Sequence, residues 1–98
     1  MLNTITIDDD NLVNKALEVF LKKSDNINFI SSFTDPVEAL STIKQKDIHL
    51  IFLDVEFPDI TGLDFLSNIP DHCQVVLMSS KKDYAVDAFD FEVSDFIH

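Results

Sequence analysis

Short apolar runs alternate with amphipathic segments along this chain. Five runs have the length and the β-branched or aromatic content of buried strands, and they cover about residues 3–8, 27–33, 48–54, 74–78 and 94–98. The segments between them show helical spacing, over about residues 11–23, from residue 36 onward, and over 63–69 and 82–91. This β-α repeat predicts a parallel sheet with right-handed crossovers and helices on both faces. With four helices for five strands, we expect incomplete cover over the first and last strands.

Two of the predicted helices carry boundary signals. The apolar stripe of the first helix consists of Leu12, Val13, Ala16, Leu17, Phe20 and Leu21. Lys22 and Lys23 are predicted in its last turn, where positive charge interacts favourably with the helix dipole. The second helix is predicted to begin with Asp35 as N-cap, Pro36 at the first helical position and Glu38 at the third. Its predicted apolar face consists of Val37, Ala39, Leu40 and Ile43.

Composition narrows the class of protein. The 98 residues are enough for one small domain, and 46% hydrophobic with 26% charged residues is ordinary for a globular chain. No apolar run approaches a membrane span, and no signal peptide is visible at Met1. The single cysteine, Cys73, excludes an internal disulfide and is interpreted as a small half-buried residue, so a cytoplasmic location is predicted. The net charge of −11 disfavours binding to nucleic acid or to an anionic membrane.

Acidic residues follow two of the predicted strands. Asp8, Asp9 and Asp10 come after the first strand, and Asp54 ends the third. Carboxyl ends of parallel strands meet at one edge of a sheet, so these carboxylates are expected in one pocket. Because they would repel and raise one another's pKa, the arrangement favours a hard metal ion bound by oxygens. Taken alone, the first three could cap a helix and Asp54 could form an Asx-turn.

These residues, in this order, resemble the receiver domain of bacterial two-component response regulators. The resemblance runs from Asn3 to His98 and rests on the pair Asp8 and Asp9, on Asp54, on the loop with Pro58 and Gly62, and on Ser79 after the fourth strand. The segment from Tyr84 to Phe89, followed by Ser94-Asp95-Phe96, is further similar to receivers of the LytTR or AlgR type. Such receivers are often joined to a separate DNA-binding domain.

The resemblance implies a fold and a set of roles. The fold would be α/β and flavodoxin-like, with a doubly wound five-stranded parallel sheet in the order 2-1-3-4-5. Asp54 would accept a phosphoryl group from a sensor histidine kinase, and Mg²⁺ would be held by Asp8, Asp9, Asp54 and the main-chain carbonyl of Glu56. Ser79 would sense the phosphoryl group, and Phe96 would be the aromatic switch. The chain would not be an enzyme beyond self-catalysed phosphotransfer and autodephosphorylation, and a homodimer stays open.

One departure from the family pattern concerns the end of the sequence. Receivers place a lysine and a proline just beyond the position of His98, followed by a last helix. We therefore expect residues 1–98 to be a single receiver domain truncated at or within the fifth strand, with that helix missing from this chain. Without the lysine, coupling of phosphorylation to a conformational change should weaken, and the uncovered apolar face should favour self-association.

Three rival functions compete with this hypothesis. A pseudo-receiver, used only for protein contacts, draws support from the missing lysine alone. A Mg²⁺-dependent phosphoaspartate hydrolase normally has a second aspartate two residues after its nucleophile, where this chain has Glu56. A flavin-binding protein would need a loop rich in Gly, Ser or Thr after the first strand, where this chain has three acids. Ser79 also fits a helix cap, and Phe96 also fits the core.

Overall fold

The computed structural model of the chain describes residues 1–54, 65 and 67–78, together with the backbone of residues 94–97. In chain order, the elements are β1 (Leu2–Ile7), α1 (Asn11–Leu21), β2 (Ile27–Phe33), α2 (Pro36–Gln45), β3 (Leu50–Asp54), β4 (Gln74–Met78) and β5 (Ser94–Ile97). The helix predicted over 82–91 lies outside the described residues. Of the helix predicted over 63–69, residue 65 is helical, residues 67–69 form a turn and a bend, and residues 63, 64 and 66 lie outside the described residues. Within the described part of the chain, no helix is both long and apolar enough to cross a membrane.

The strands form one sheet in the order β2-β1-β3-β4-β5. β1 lies between β2 and β3 and is parallel to both, and β3 is parallel to β4. A parallel sheet built from alternating strands and helices was predicted, and this part of the prediction is confirmed. The arrangement brings the carboxyl ends of β1 and β3 side by side, with Ile7 opposite Leu53.

The direction of β5 differs from the prediction. β5 runs antiparallel to β4, so that Ser94 lies opposite Leu77 and Ile97 lies opposite Gln74. The predicted fifth parallel strand is therefore wrong in direction. An apolar pattern indicates a strand but not its direction, which depends on the path of the connecting chain. A parallel partner needs a crossover of about a dozen residues or more, and the connection over residues 79–93 is long enough for either direction.

The helix boundaries agree with the local signals, with one exception. Asp35 is the N-cap of α2 and accepts a hydrogen bond from the Val37 amide at 2.9 Å, with Pro36 at the first helical position, as predicted. α1 ends at Leu21, so the prediction that Lys22 and Lys23 lie in its last turn is wrong. The main-chain amide of Lys23 bonds the carbonyl of Phe20, three residues back, which closes the helix with a tighter turn. The side chain of Lys22 instead pairs with Glu18 at 2.8 Å.

The two faces of the sheet are covered differently. On one face, Ile5, Ile7 and Ile51 belong to a core cluster with Ala39 and Ile43 of α2. A smaller cluster joins Leu17 and Leu21 of α1 to Met78.

Three side chains predicted to lie on apolar helix faces are exposed instead: Leu12 at 78%, Phe20 at 67% and Val37 at 57%. Periodicity predicts which residues form the apolar face of a helix, but the sheet covers only part of that face.

Candidate functional site

The acidic residues that follow β1 and end β3 lie together at the carboxyl edge of the parallel strands. Asp8 directly follows β1 and is fully buried, and Asp54 ends β3 with 3% of its surface exposed. Asp9 is exposed at the mouth of the site. One carboxylate oxygen from each of the three lies within 4.8 Å of the others. The structure therefore brings together the side chains that the sequence placed at two separate strand ends.

Asp8 has the most constrained carboxylate of the three. Its Oδ1 accepts a hydrogen bond from the Asp10 amide at 2.8 Å. Its Oδ2 is buried and has no hydrogen-bond partner within the described residues. The pKa of Asp8 is raised from 3.8 to about 7, chiefly by burial; the bond from the Asp10 amide opposes this rise, and the charges of Asp54, Asp9 and Asp10 add to it. Without a cation, this carboxyl group is therefore poised to hold a proton near neutral pH.

The donor set fits a hard divalent cation. A buried carboxylate oxygen without a hydrogen-bond partner is costly, and a bound cation would remove that cost while offsetting the repulsion between the three carboxylates. Carboxylate oxygens are the ligands that Mg²⁺ and Ca²⁺ prefer. The buried Asp8 and Asp54 are held by the sheet, whereas the exposed Asp9 is open to solvent and to an incoming ligand.

The turn between β1 and α1 supports the site through its own hydrogen bonds. Asp10 is the N-cap of α1 and accepts from the Leu12 amide at 2.9 Å. The helix-cap alternative for the acidic run is thus correct for Asp10. Asp8 and Asp9 remain available to the pocket, so the acidic run combines a helix start with two of the three carboxylates of the acidic cluster.

Asn14 is a buried polar residue that the sequence analysis missed. It lies on the core side of α1 with Leu17 and Leu21, and only 2% of its surface is exposed. Its side chain bonds the hydroxyl of Thr6 and the main-chain carbonyls of Asp8 and Phe33. The sequence signal that could have identified it is a polar residue at the helical spacing of the apolar residues Leu17 and Leu21.

Several predicted site residues lie outside the described part of the chain. These are Glu56, Pro58, Gly62 and Ser79, so their roles stay predictions. Phe96 belongs to β5 and lies opposite Val75, but its side chain is outside the described atoms.

Cys73 is more buried than predicted, with 1% exposed, and its thiol donates to the carbonyl of Ile48 at 2.8 Å.

Two histidines meet at the opposite edge of the sheet, around Asp47. The Nε2 atoms of His49 and His72 lie 3.2 and 3.4 Å from its two carboxylate oxygens. Nδ1 of His49 accepts a hydrogen bond from the Asn3 amide at 2.9 Å. Neutral His49 therefore carries its proton on Nε2, where it faces Asp47, and that nitrogen has no lone pair for a metal.

Comparisons with known proteins agree with this geometry. A family model described as response regulator receiver domain matches residues 4–98. A response regulatory protein of Vibrio cholerae serotype O1 is 29% identical over 99 aligned positions, covering 99% of this chain and 42% of that protein. The transcriptional regulatory protein BtsR of Escherichia coli K12 is 26% identical, over 99% of this chain and 41% of its own length. The chain thus spans less than half the length of these relatives.

Structural similarity extends over most of the chain as well. The crystal structure of the response regulatory domain of protein mrkE from Klebsiella pneumoniae matches with a TM-score of 0.71 and 25% identity, covering 91% of this chain and 75% of that one. This structural match agrees with the family model. So do the flavodoxin-like α/β fold with its parallel sheet and the acidic cluster at the ends of β1 and β3. The chain belongs to the response regulator receiver domain family of two-component systems.

Proposed function

We propose that this chain is a phosphoacceptor domain that receives a phosphoryl group on Asp54 from a histidine kinase, with Mg²⁺ as cofactor. The observation that carries the proposal is the convergence of Asp8, Asp9 and Asp54, whose carboxylate oxygens lie within 4.8 Å of one another. The buried Oδ2 of Asp8, which has no hydrogen-bond partner within the described residues, adds a reason for a cation to be bound there.

The proposed chemistry assigns a different task to each carboxylate. An oxygen of Asp54 attacks the phosphorus of a phosphohistidine, the P–N bond breaks, and the imidazole leaves with the bonding electron pair and takes up a proton. Asp9 and Asp54 would hold the cation, together with the main-chain carbonyl of Glu56, and Asp8 would contribute partly through water. Mg²⁺ held there supplies positive charge that offsets the charge of the transferring phosphoryl group.

Phosphorylation of the chain is expected to depend strictly on Mg²⁺. Without a cation, a phosphoryl anion must approach three carboxylates, so the repulsion opposes attack by Asp54. The measurement is intact mass after incubation with a small acyl phosphate, with Mg²⁺ or with a chelator. One added phosphoryl group is expected only with Mg²⁺, and beryllofluoride should shift the NMR signals of the site under the same condition. An unchanged mass and spectrum with Mg²⁺ would leave only the pseudo-receiver interpretation.

The affinity for Mg²⁺ is expected to fall with decreasing pH below about 7. Burial raises the pKa of Asp8 to about 7, so below that pH the cation must displace a proton from this carboxyl group. One displaced proton corresponds to about a tenfold loss of affinity per pH unit. Titrations with Mg²⁺ followed by NMR should show this slope in the wild type and a flatter one in Asp8→Asn. Equal slopes would show that another group releases the proton.

The output of the signal is also part of the proposal. We propose that Ser79 senses the phosphoryl group, that Phe96 responds as the switch, and that Pro58 and Gly62 shape the loop after Asp54. The output would be a LytTR-type DNA-binding domain outside residues 1–98, and the chain would work in the cytoplasm. In support, BtsR is a transcriptional regulatory protein, and the chain covers only 41% of its length.

A further inference from the structure

We infer that Asn14 is a positioning residue that holds Asp8 in place for metal binding, an inference that rests on the proposed Mg²⁺ site. Its Oδ1 accepts from the Thr6 hydroxyl at 3.0 Å, and its Nδ2 donates to the carbonyls of Asp8 at 2.9 Å and of Phe33 at 3.1 Å. One side chain of α1 thus joins the carboxyl ends of β1 and β2, next to the acidic site.

Asp8 is restrained at every one of its polar groups but one. Its main-chain amide donates to the carbonyl of Phe33 at 3.0 Å, and its main-chain carbonyl accepts from Asn14. Its Oδ1 accepts from the Asp10 amide. Within the described residues, only Oδ2 is without a hydrogen bond, and Asp8 belongs to the acidic group of the pocket. Loss of the Asn14 bond would release the carbonyl that sets the orientation of the turn from Asp8 to Asp10.

The chemistry of the position favours an amide over its alternatives. The two N–H bonds of the amide serve two main-chain carbonyls, while its oxygen serves a hydroxyl group. An aspartate would direct an acceptor at two carbonyl oxygens. A leucine would match Leu17 and Leu21 on the same helix face but would leave the Thr6 hydroxyl and the Asp8 carbonyl without this partner. Residues that orient metal ligands typically change metal affinity when replaced, even though they do not touch the metal.

The test compares Mg²⁺ affinity in Asn14→Leu and in a matched control. The control is Leu17→Ala, because Leu17 is equally buried on the same face of α1 and packs in the apolar cluster with Leu21 and Met78. The dissociation constant is measured by NMR on the folded protein at about pH 8, where Asp8 is ionised. We expect binding weaker by roughly tenfold in Asn14→Leu and unchanged in Leu17→Ala, although both lose stability. The amide signals of Asp8 and Asp10 should shift only in the Asn14 variant.

The outcomes separate this inference from the proposed function. If the wild type binds Mg²⁺ and Asn14→Leu binds it equally well, the positioning role is wrong and the metal site stands. Equal weakening of Mg²⁺ binding in Asn14→Leu and Leu17→Ala would mean that any loss of packing on α1 disturbs the site, which also contradicts the positioning role of Asn14. If the wild type itself does not bind Mg²⁺, both ideas fail. Should Asn14→Leu not fold, Asn14→Ser, which is too short to reach both carbonyls, is measured with the same expectation.

Discussion

Replacement of Asp54 by asparagine is expected to abolish phosphorylation of the chain completely while the domain stays folded. The amide oxygen of asparagine is a far weaker nucleophile than a carboxylate, and the change also removes one negative charge from the proposed metal site. Burial is the main cause of the raised pKa of Asp8, and the charge of Asp54 raises it further. Its removal should therefore relieve repulsion at the ends of β1 and β3. The measurement is intact mass after incubation with Mg²⁺ and a small acyl phosphate.

The matched control for this variant is Asp71→Asn. Asp71 is an exposed aspartate in the turn before β4, and it has the same side chain outside the acidic group. We expect Asp71→Asn to take up a phosphoryl group like the wild type, and Asp54→Asn to be at least as resistant to urea as the wild type. A full phosphoryl adduct on Asp54→Asn would move the acceptor to another carboxylate, with Asp8 and Asp9 the first to be replaced in turn.

Much of the described fold was predictable because its signals are local. The N-cap of α2 depends on Asp35, Pro36 and Glu38, which are neighbours in the sequence, and the structure has the predicted start. Strand positions follow from runs of apolar residues, and β2 and β4 have the predicted limits. The direction of β5 was not predictable in the same way, because it depends on how the chain returns to the sheet rather than on the residues of the strand.

The candidate site was predictable in part for a topological reason. Once the strands alternate with helices, the carboxyl ends of β1 and β3 must share an edge, so Asp8 and Asp54 were expected to meet. Asn14 was not predicted, because two of its three bonds go to main-chain carbonyls, which every residue has. A main-chain carbonyl cannot be recognised as a partner from the sequence, so the only signal was a polar residue at helical spacing from Leu17. Side-chain chemistry at strand ends is thus predictable, while the contacts that orient it are much less so.

Replacement of Asp8 by asparagine is expected to stabilise the metal-free protein at neutral pH and to remove much of its pH dependence. In the folded chain, burial raises the pKa of Asp8 from 3.8 to about 7. The folded state therefore keeps a proton that the unfolded state loses. The resulting stabilisation is fully present below pH 3.8 and is lost as the pH rises towards about 7. Between about pH 5 and pH 8, the wild type should lose roughly 3 kcal/mol of unfolding free energy relative to the variant.

Urea unfolding of both proteins at these two pH values, in the presence of a chelator, measures the difference. The difference between the wild type and Asp8→Asn reports the effect of the Asp8 carboxyl group, and Asp71→Asn serves as the control for the loss of one charge. Added Mg²⁺ at about pH 8 should restore stability to the wild type by mass action and have less effect on Asp8→Asn. Parallel pH profiles for the two proteins would show that Asp8 ionises as easily in the folded chain as in the unfolded chain, and would contradict the raised pKa inferred from its burial beside Asp54.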